Sequence, residues 1–191
     1  MLRGIWESSG VHWLLIVRIT EKYKHPDSAD KPGSMVERLV SFVDMPKTWL
    51  SPAAAEIPET FQGTVFLGKG AKPEAKHHLG FRERANERLD HVCLMRDKCF
   101  AYYKNYIPFA PARQHLVYLW KAPATPAWEK HHRDGKTDEV TGRFFRSRVS
   151  EEFYDNKSDF DNVKNLVKDP KHQVRISELN AALCKKTTRA I

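Results

Sequence analysis

The apolar residues of this chain recur mostly at intervals of three and four, the spacing that places side chains on one face of an α-helix. Ser34 and Glu37 form a capping box that predicts a first helix, which Pro46 should end because proline has no amide hydrogen to donate. Ser51 caps a second, shorter helix that ends at Pro58. The expected apolar face of the first helix consists of Val36, Leu39, Val40 and Val43.

The longest helical pattern extends from Glu74 to Tyr106, where we expect a single amphipathic helix. Gly80 is a weak point near its start, and Pro108 and Pro111 should break it before a short apolar helix between residues 112 and 121. The apolar positions that define this helix, at spacings of three, four or seven, are Ala85, Leu89, Val92, Cys99, Tyr103 and Tyr106. Its charged side carries Arg84, Glu87, Arg88, Asp90 and Asp97.

The C-terminal third combines an irregular stretch with two better-defined helices. Prolines and charged residues between 122 and 138 predict a connection without regular structure. Ser158 then caps a helix that should close at Pro170, and Ser177 caps another over residues 178–186. Elsewhere, the short β-like run at residues 64–67 reads as a loop or an isolated strand.

These elements predict a mainly α-helical fold, an irregular multi-helix subunit with one long amphipathic helix and extended proline-rich connections. We divide the chain into an N-terminal apolar arm and linker (1–33), a helical body (34–121), and an irregular linker with C-terminal helices (122–191). The apolar run of the arm, residues 11–19, is too short for a transmembrane helix, which needs roughly 20 residues. We interpret it as a buried strand or short core helix, or alternatively as an arm against a partner or a membrane surface.

Composition narrows the class of protein. The 191 residues suit one domain with an extended arm, and the hydrophobic fraction of 41% excludes a wholly disordered chain. The formal net charge of +8 suits an anionic partner such as RNA or anionic lipid without requiring one. Three cysteines, Cys93, Cys99 and Cys184, are too few and too odd in number for a disulfide-stapled scaffold.

The sequence motifs that suggest nucleotide or metal chemistry fail on inspection. The run from Gly63 to Gly70 approaches a phosphate-binding loop but places Gly70 where a magnesium-binding Ser or Thr belongs, and Pro73 follows closely. The histidines, with Cys93, lack the paired spacing of structural zinc sites. We therefore expect no cofactor and no metal. The histidines in question are His77, His78, His91, His131 and His132.

Catalytic chemistry is also not indicated. The acidic residues between 134 and 152 are scattered through polar sequence without an apolar pocket around them, and no nucleophile stands beside a plausible base. These observations favour a protein that is not an enzyme, with no catalytic residues.

Two sets of residues are candidates for partner binding instead. Tryptophan dominates interface energetics, so the five tryptophans would anchor contacts with other protein subunits. Cations interleaved with Phe144 and Phe145 are typical of segments that contact anionic partners. The tryptophans are Trp6, Trp13, Trp49, Trp120 and Trp128, and the cations are Arg143, Arg146 and Arg148.

The segments Met35–Leu50 and Arg82–Tyr106, the latter with Cys93 and Cys99, resemble the PDSW-type accessory subunits of mitochondrial respiratory complex I. The resemblance implies a non-catalytic structural or assembly subunit of a large inner-membrane respiratory complex. The segment Met1–Arg3 resembles the start of a mitochondrial targeting signal. We therefore expect a mitochondrial location, peripheral to the inner membrane and in contact with anionic lipid. The alternative is a mitochondrial ribosomal protein whose arginines contact ribosomal RNA.

Overall fold

The structure is a computed structural model that describes residues 15–18, 20, 33–68, 70–112 and 114–187. The chain divides into two compact units, one formed by residues 13–78 and the other mainly by residues 79–191. The helices and strands are α1 (Met45–Leu50), β1 (His78–Ala85), β2 (Arg88–Arg96), β3 (Phe100–Asn105), α2 (Val117–Lys121), α3 (Ala124–Arg133), α4 (Glu139–Gly142), β4 (Glu151–Asp155) and α5 (Gln173–Thr187). Short 3-10 turns lie at Phe42–Asp44, Arg143–Phe145 and Pro170–His172.

The first unit is organised by hydrogen bonds around the start of α1. The buried Asp44 accepts the backbone N–H of Thr64 at 2.8 Å, and its own carbonyl accepts the hydroxyl of the fully buried Thr48 at 2.7 Å. Pro46 lies in the first turn of α1, where a missing amide hydrogen costs nothing. The predicted helix from Ser34 to Pro46 is therefore wrong, because residues 34–41 form no helix and Pro46 helps to begin one.

The second unit contains a four-stranded sheet with the strands in chain order. β2 and β3 pair antiparallel with Met95 opposite Tyr102, and β3 and β4 pair antiparallel with Tyr102 opposite Phe153. β1 and β2 are joined by a tight turn in which Asn86 adopts a φ of 55°, a conformation that asparagine tolerates better than most residues.

This sheet replaces the long helix predicted from Glu74 to Tyr106, and the mainly α-helical fold class is wrong for the same reason. Apolar positions there do recur at three and four residues, but the side chains that become buried alternate. In β2, Cys93 and Met95 are buried and point to the same side, which is the period of a strand. The fold is a meandering antiparallel sheet with helices.

Helix α5 covers one face of the sheet and completes the hydrophobic core. Leu179 and Leu183 of α5 and Met95, Tyr102 and Phe153 of the sheet are each 0% exposed. Full burial of such a side chain stabilises the fold by about 1.5–3 kcal/mol, so this helix holds the unit together. Cys93 and Ile176 complete the core cluster.

The C-terminal predictions have mixed outcomes. The helix expected over residues 178–186 is confirmed as the larger part of α5. The helix expected from Ser158 is wrong, because the Asp159 carboxylate accepts the N–H groups of Val163 and Lys164 at 2.9 and 2.7 Å and fixes a turn instead. The connection expected over 122–138 contains α3. Within the described ranges, no helix combines the length and apolar character needed to cross a bilayer.

Candidate functional site

The face of the sheet turned away from α5 is polar near the hairpin of β1 and β2. Because side chains alternate along a strand, Arg88 and Asp90 lie on the side opposite Cys93 and Met95. A Cβ added at Gly80 would lie 3.5 Å from the side chain of Leu94, which places the even-numbered residues of β1 on this same side. The hairpin thus presents Arg82, Arg84, Arg88 and Asp90 on one face.

Three of the charged groups on this side form a buried cluster. Asp90, with its side chain 2% exposed, makes ion pairs with both Arg82 and Arg148, whose side chains are 8% and 12% exposed. Arg148 comes from the segment before β4 and also donates from Nε to the carbonyl of Ala110 at 3.4 Å. The cluster therefore ties β1, β2 and two connecting segments to one carboxylate.

The segment 107–118 is held against the hairpin by hydrogen bonds that each join a side chain to a backbone group. Such bonds fix the path of the connection that leads into the short helix α2. They are Arg88 Nε to the His115 carbonyl (3.0 Å), Gln114 Nε2 to the Leu89 carbonyl (2.6 Å) and the Val117 N–H to Glu87 Oε1 (3.0 Å). The bond from Val117 lowers the pKa of Glu87, so this carboxylate stays ionised.

The cluster carries positive charge that the buried environment disfavours. Burial, and then the neighbouring Arg148, lower the pKa of Arg82 to about 8, and burial also lowers the pKa of Arg148. A guanidinium keeps its proton in proteins, so the direction of the shift shows that burial, and then the second cation, disfavours the charge of Arg82. An anion close by would favour that charge.

A second carboxylate, Glu152, lies near Arg148 and is itself engaged. It accepts a hydrogen bond from Asn105 Nδ2 at 2.6 Å and another from the hydroxyl of Tyr154 at 2.6 Å. Burial and the negative charge of Glu152 raise the pKa of Tyr154, so the tyrosine remains a hydrogen-bond donor. Glu152 therefore holds the side chains of Asn105 and Tyr154 in place.

This arrangement suits anion binding better than proton transfer. The guanidiniums of Arg82 and Arg148 donate hydrogen bonds and cannot accept a proton, and the Asp90 carboxylate is committed to both of them. Arginine presents a planar set of donors that matches the oxygens of sulfate, phosphate or carboxylate groups. We therefore take this cluster as the candidate site.

The tryptophans that the structure describes make contacts of their own. Trp49 lies in the first unit, in an edge-to-face contact with Phe66 at a centroid distance of 6.4 Å. Trp120 donates from Nε1 to Glu129 at 3.0 Å. Trp128 stacks on Phe144 at 4.9 Å, and Trp6 and Trp13 lie outside the described residues. Partner binding by these residues stays a prediction.

Among the predicted arginines, only Arg148 belongs to the cluster. Arg143 donates to the carbonyl of Asn162 at 2.9 Å, and Arg146 donates to the carbonyl of Glu139 at 3.0 Å. The sequence reasoning missed Arg82, Arg84, Arg88 and Asp90 as a site because it assigned them to a helix. Charged residues at alternate positions on both sides of Asn86 were the signal that could have found them.

The histidine and cysteine candidates give no metal centre in the part of the chain that the structure describes, where no group of three or more His, Cys, Asp or Glu could hold an ion. His91 Nε2 lies 3.7 Å from the sulfur of Cys93. Burial raises the pKa of the Cys93 thiol, which keeps it protonated.

No protein-family model matches the chain. A curated protein does: an ulvan-active sulfatase of Formosa agariphila is 30% identical over 176 residues, which cover 92% of this chain. The chain resembles part of a sulfatase. It spans 28% of the length of that relative.

Solved structures with the word sulfatase in their descriptions are also similar to the chain. A sulfatase-like protein of Bacteroides thetaiotaomicron has a TM-score of 0.49 at 19% identity, over 76% of this chain and 24% of that one. A 2-O GAG sulfatase has a TM-score of 0.48 at 19% identity, again over 76% of this chain and 24% of the other. Similarities with TM-scores below 0.5 do not indicate the chemistry of this chain.

The curated relative overturns the functional expectations drawn from the sequence. The resemblance to complex I accessory subunits is wrong, and so are the respiratory and ribosomal roles, because the similar protein is a sulfatase. The expectation of a non-enzyme is wrong, because that relative is an enzyme. The mitochondrial location is wrong, since the relative comes from a bacterium. The misleading resemblance rested on a helical pattern at Met35–Leu50 and Arg82–Tyr106 that the structure replaces largely by extended chain and strands.

Proposed function

We propose that this chain belongs to a sulfatase-type enzyme, which hydrolyses sulfate esters, and that its substrate is a sulfated polysaccharide. The observation that carries the proposal is the identity of 30% with an ulvan-active sulfatase over 92% of the chain. That similarity extends over both compact units, so it is not the product of one short motif.

The chemistry of the candidate site supports the same proposal. A sulfated polysaccharide carries a fixed negative charge on every sulfate group, and a surface with arginines in excess attracts such a ligand at long range. The cluster of Arg82, Asp90 and Arg148 supplies hydrogen-bond donors and charge from a rigid sheet. Because the chain spans 28% of its relative, we propose activity for the whole enzyme that contains it and a substrate-facing role for this part.

The test is sulfate release by the native enzyme. The chain is expressed with an added affinity tag in the organism it comes from, and the tagged protein is purified together with any polypeptide that is joined or bound to it. It is then incubated with ulvan, heparin and chondroitin sulfate, and free sulfate is measured by ion chromatography. We expect release from at least one of these above that of a mock purification and of a heat-treated sample.

A phosphorylated saccharide serves as the control for specificity, because a general phosphatase would release phosphate from it. The proposal is wrong if the folded tagged protein releases no sulfate from the three polysaccharides, or if it releases phosphate faster than sulfate.

A further inference from the structure

The arginines of the β1–β2 hairpin form a charged surface that extends beyond the buried cluster. Arg84 and Arg88 are exposed and stand on the same face as the buried Arg82. Arg148 reaches this face from the segment before β4 and meets Arg82 at the carboxylate of Asp90. Two exposed guanidiniums thus stand beside two buried ones.

The acidic groups near this surface do not neutralise it. Asp90 is shared by two guanidiniums, and Glu87 in the hairpin turn accepts the N–H of Val117. Glu152, near Arg148, accepts hydrogen bonds from the side chains of two neighbours. Glu83 lies on the opposite face of β1 by strand alternation. Arg82 and Arg148 contact the carboxylate of Asp90 directly, and the four arginines outnumber the three carboxylates of Asp90, Glu87 and Glu152.

Burial makes the inner pair effective at a distance. Charges removed from water are less screened, so the field of Arg82 and Arg148 adds to that of the exposed arginines. Burial, and after it the charge of the neighbouring Arg148, lowers the pKa of Arg82. Tyr118, which is 46% exposed, has a smaller and opposite effect on the pKa of Arg82.

We propose that this hairpin face, made of Arg82, Arg84, Arg88 and Arg148, binds the sulfate groups of a sulfated saccharide. The exposed Arg84 and Arg88 contact the sulfate oxygens, and the buried pair strengthens the field beneath them. Arginine suits this task because its planar guanidinium can donate two parallel hydrogen bonds to one sulfate group. The inference rests on the proposed function and names the surface through which this chain meets the substrate.

The test measures binding separately from catalysis. Fluorescently labelled ulvan oligosaccharides are titrated with the full-length protein, and polarisation gives the dissociation constant. We expect the double variant R84Q/R88Q to bind at least about tenfold more weakly, because it loses two guanidiniums and even one lost charged hydrogen bond is worth about that factor. The control R133Q removes the same kind of charge from α3, where the Arg133 side chain is 71% exposed, and should leave binding unchanged.

R84Q alone guards against misfolding of the double variant, because Arg84 is exposed. It should weaken binding by at least threefold, with an unchanged circular dichroism spectrum. Chemically desulfated oligosaccharides should not compete with the labelled ligand. Sodium sulfate at the same sulfate concentration should compete at least tenfold more weakly, because it carries no sugar.

Several results would overturn the inference. Equal affinity of R84Q and the unaltered protein would show that the hairpin does not bind the oligosaccharide. Equal affinity for a single-stranded RNA of matched charge would show a non-specific polyanion surface, and full competition by sodium sulfate would show a site for the free ion. Loss of sulfate release with intact binding would refute the proposed function and leave this inference standing. Sulfate release without oligosaccharide binding at the hairpin would refute this inference and leave the proposed function standing.

Discussion

The contact of α5 with the sheet gives the sharpest stability prediction. Leu179 is 0% exposed and belongs to the core cluster with Met95 and Tyr102. Leu179→Ala removes three carbons from this core, which costs about 2.4 kcal/mol in transfer free energy at about 0.8 kcal/mol for each. The cavity left behind adds to that, so we expect a loss of about 3–4 kcal/mol in the free energy of unfolding.

The assay is urea unfolding of the full chain, followed by far-ultraviolet circular dichroism at the helix band. The matched control is Val174→Ala on the same helix, where the side chain is 75% exposed and the change should cost less than about 0.5 kcal/mol. If Leu179→Ala cost less than about 1 kcal/mol, or no more than the control, α5 would not be packed on the sheet as described.

Three further predictions concern other parts of the molecule. Asp90→Asn leaves two buried guanidiniums without their carboxylate and should lower the free energy of unfolding in urea by about 3 kcal/mol. The control Asp134→Asn removes one partner of an exposed ion pair and should lower it by less than about 1 kcal/mol. Equal losses in the two variants would contradict the buried cluster. Gly63→Ala should cost more than about 2 kcal/mol, because its Cβ would overlap the backbone carbonyl of Val43 and its φ is +83°. Gly135→Ala meets open space and should cost about 1 kcal/mol by calorimetry. Burial raises the pKa of the Cys93 thiol, so in a Cys99→Ser/Cys184→Ser variant, which keeps only this thiol, Ellman's reagent at pH 8 should react only after denaturation. Rapid labelling of that native variant would show that the strand is open.

The sequence predicted the C-terminal helix well because several local signals agreed there. Ile176, Leu179 and Leu183 follow the helical period, and this face is the one buried in α5. The start of the helix lies at Gln173, before the predicted cap at Ser177, because the 3-10 turn Pro170–His172 leads directly into it.

The strands were missed because the same apolar residues satisfy two periods. Leu89, Val92 and Cys99 fit a helix on spacing alone, whereas Cys93 and Met95 are the residues that meet α5. Which set is buried depends on a helix about eighty residues further along the chain, and no local pattern contains that information. The candidate site was missed with the strands, since Arg82 and Asp90 become neighbours only across the hairpin.

The order of elements along the chain also has a consequence for biosynthesis. β1, β2 and β3 are continuous in sequence, but β4 and α5 come after a further stretch of residues from 106 to 150. A ribosome therefore releases three strands well before their core can close, and during that interval Met95 and Tyr102 have no helix to cover them. Non-local pairing of this kind slows folding, so the apolar face of this sheet stays open to contact with other chains until translation reaches α5.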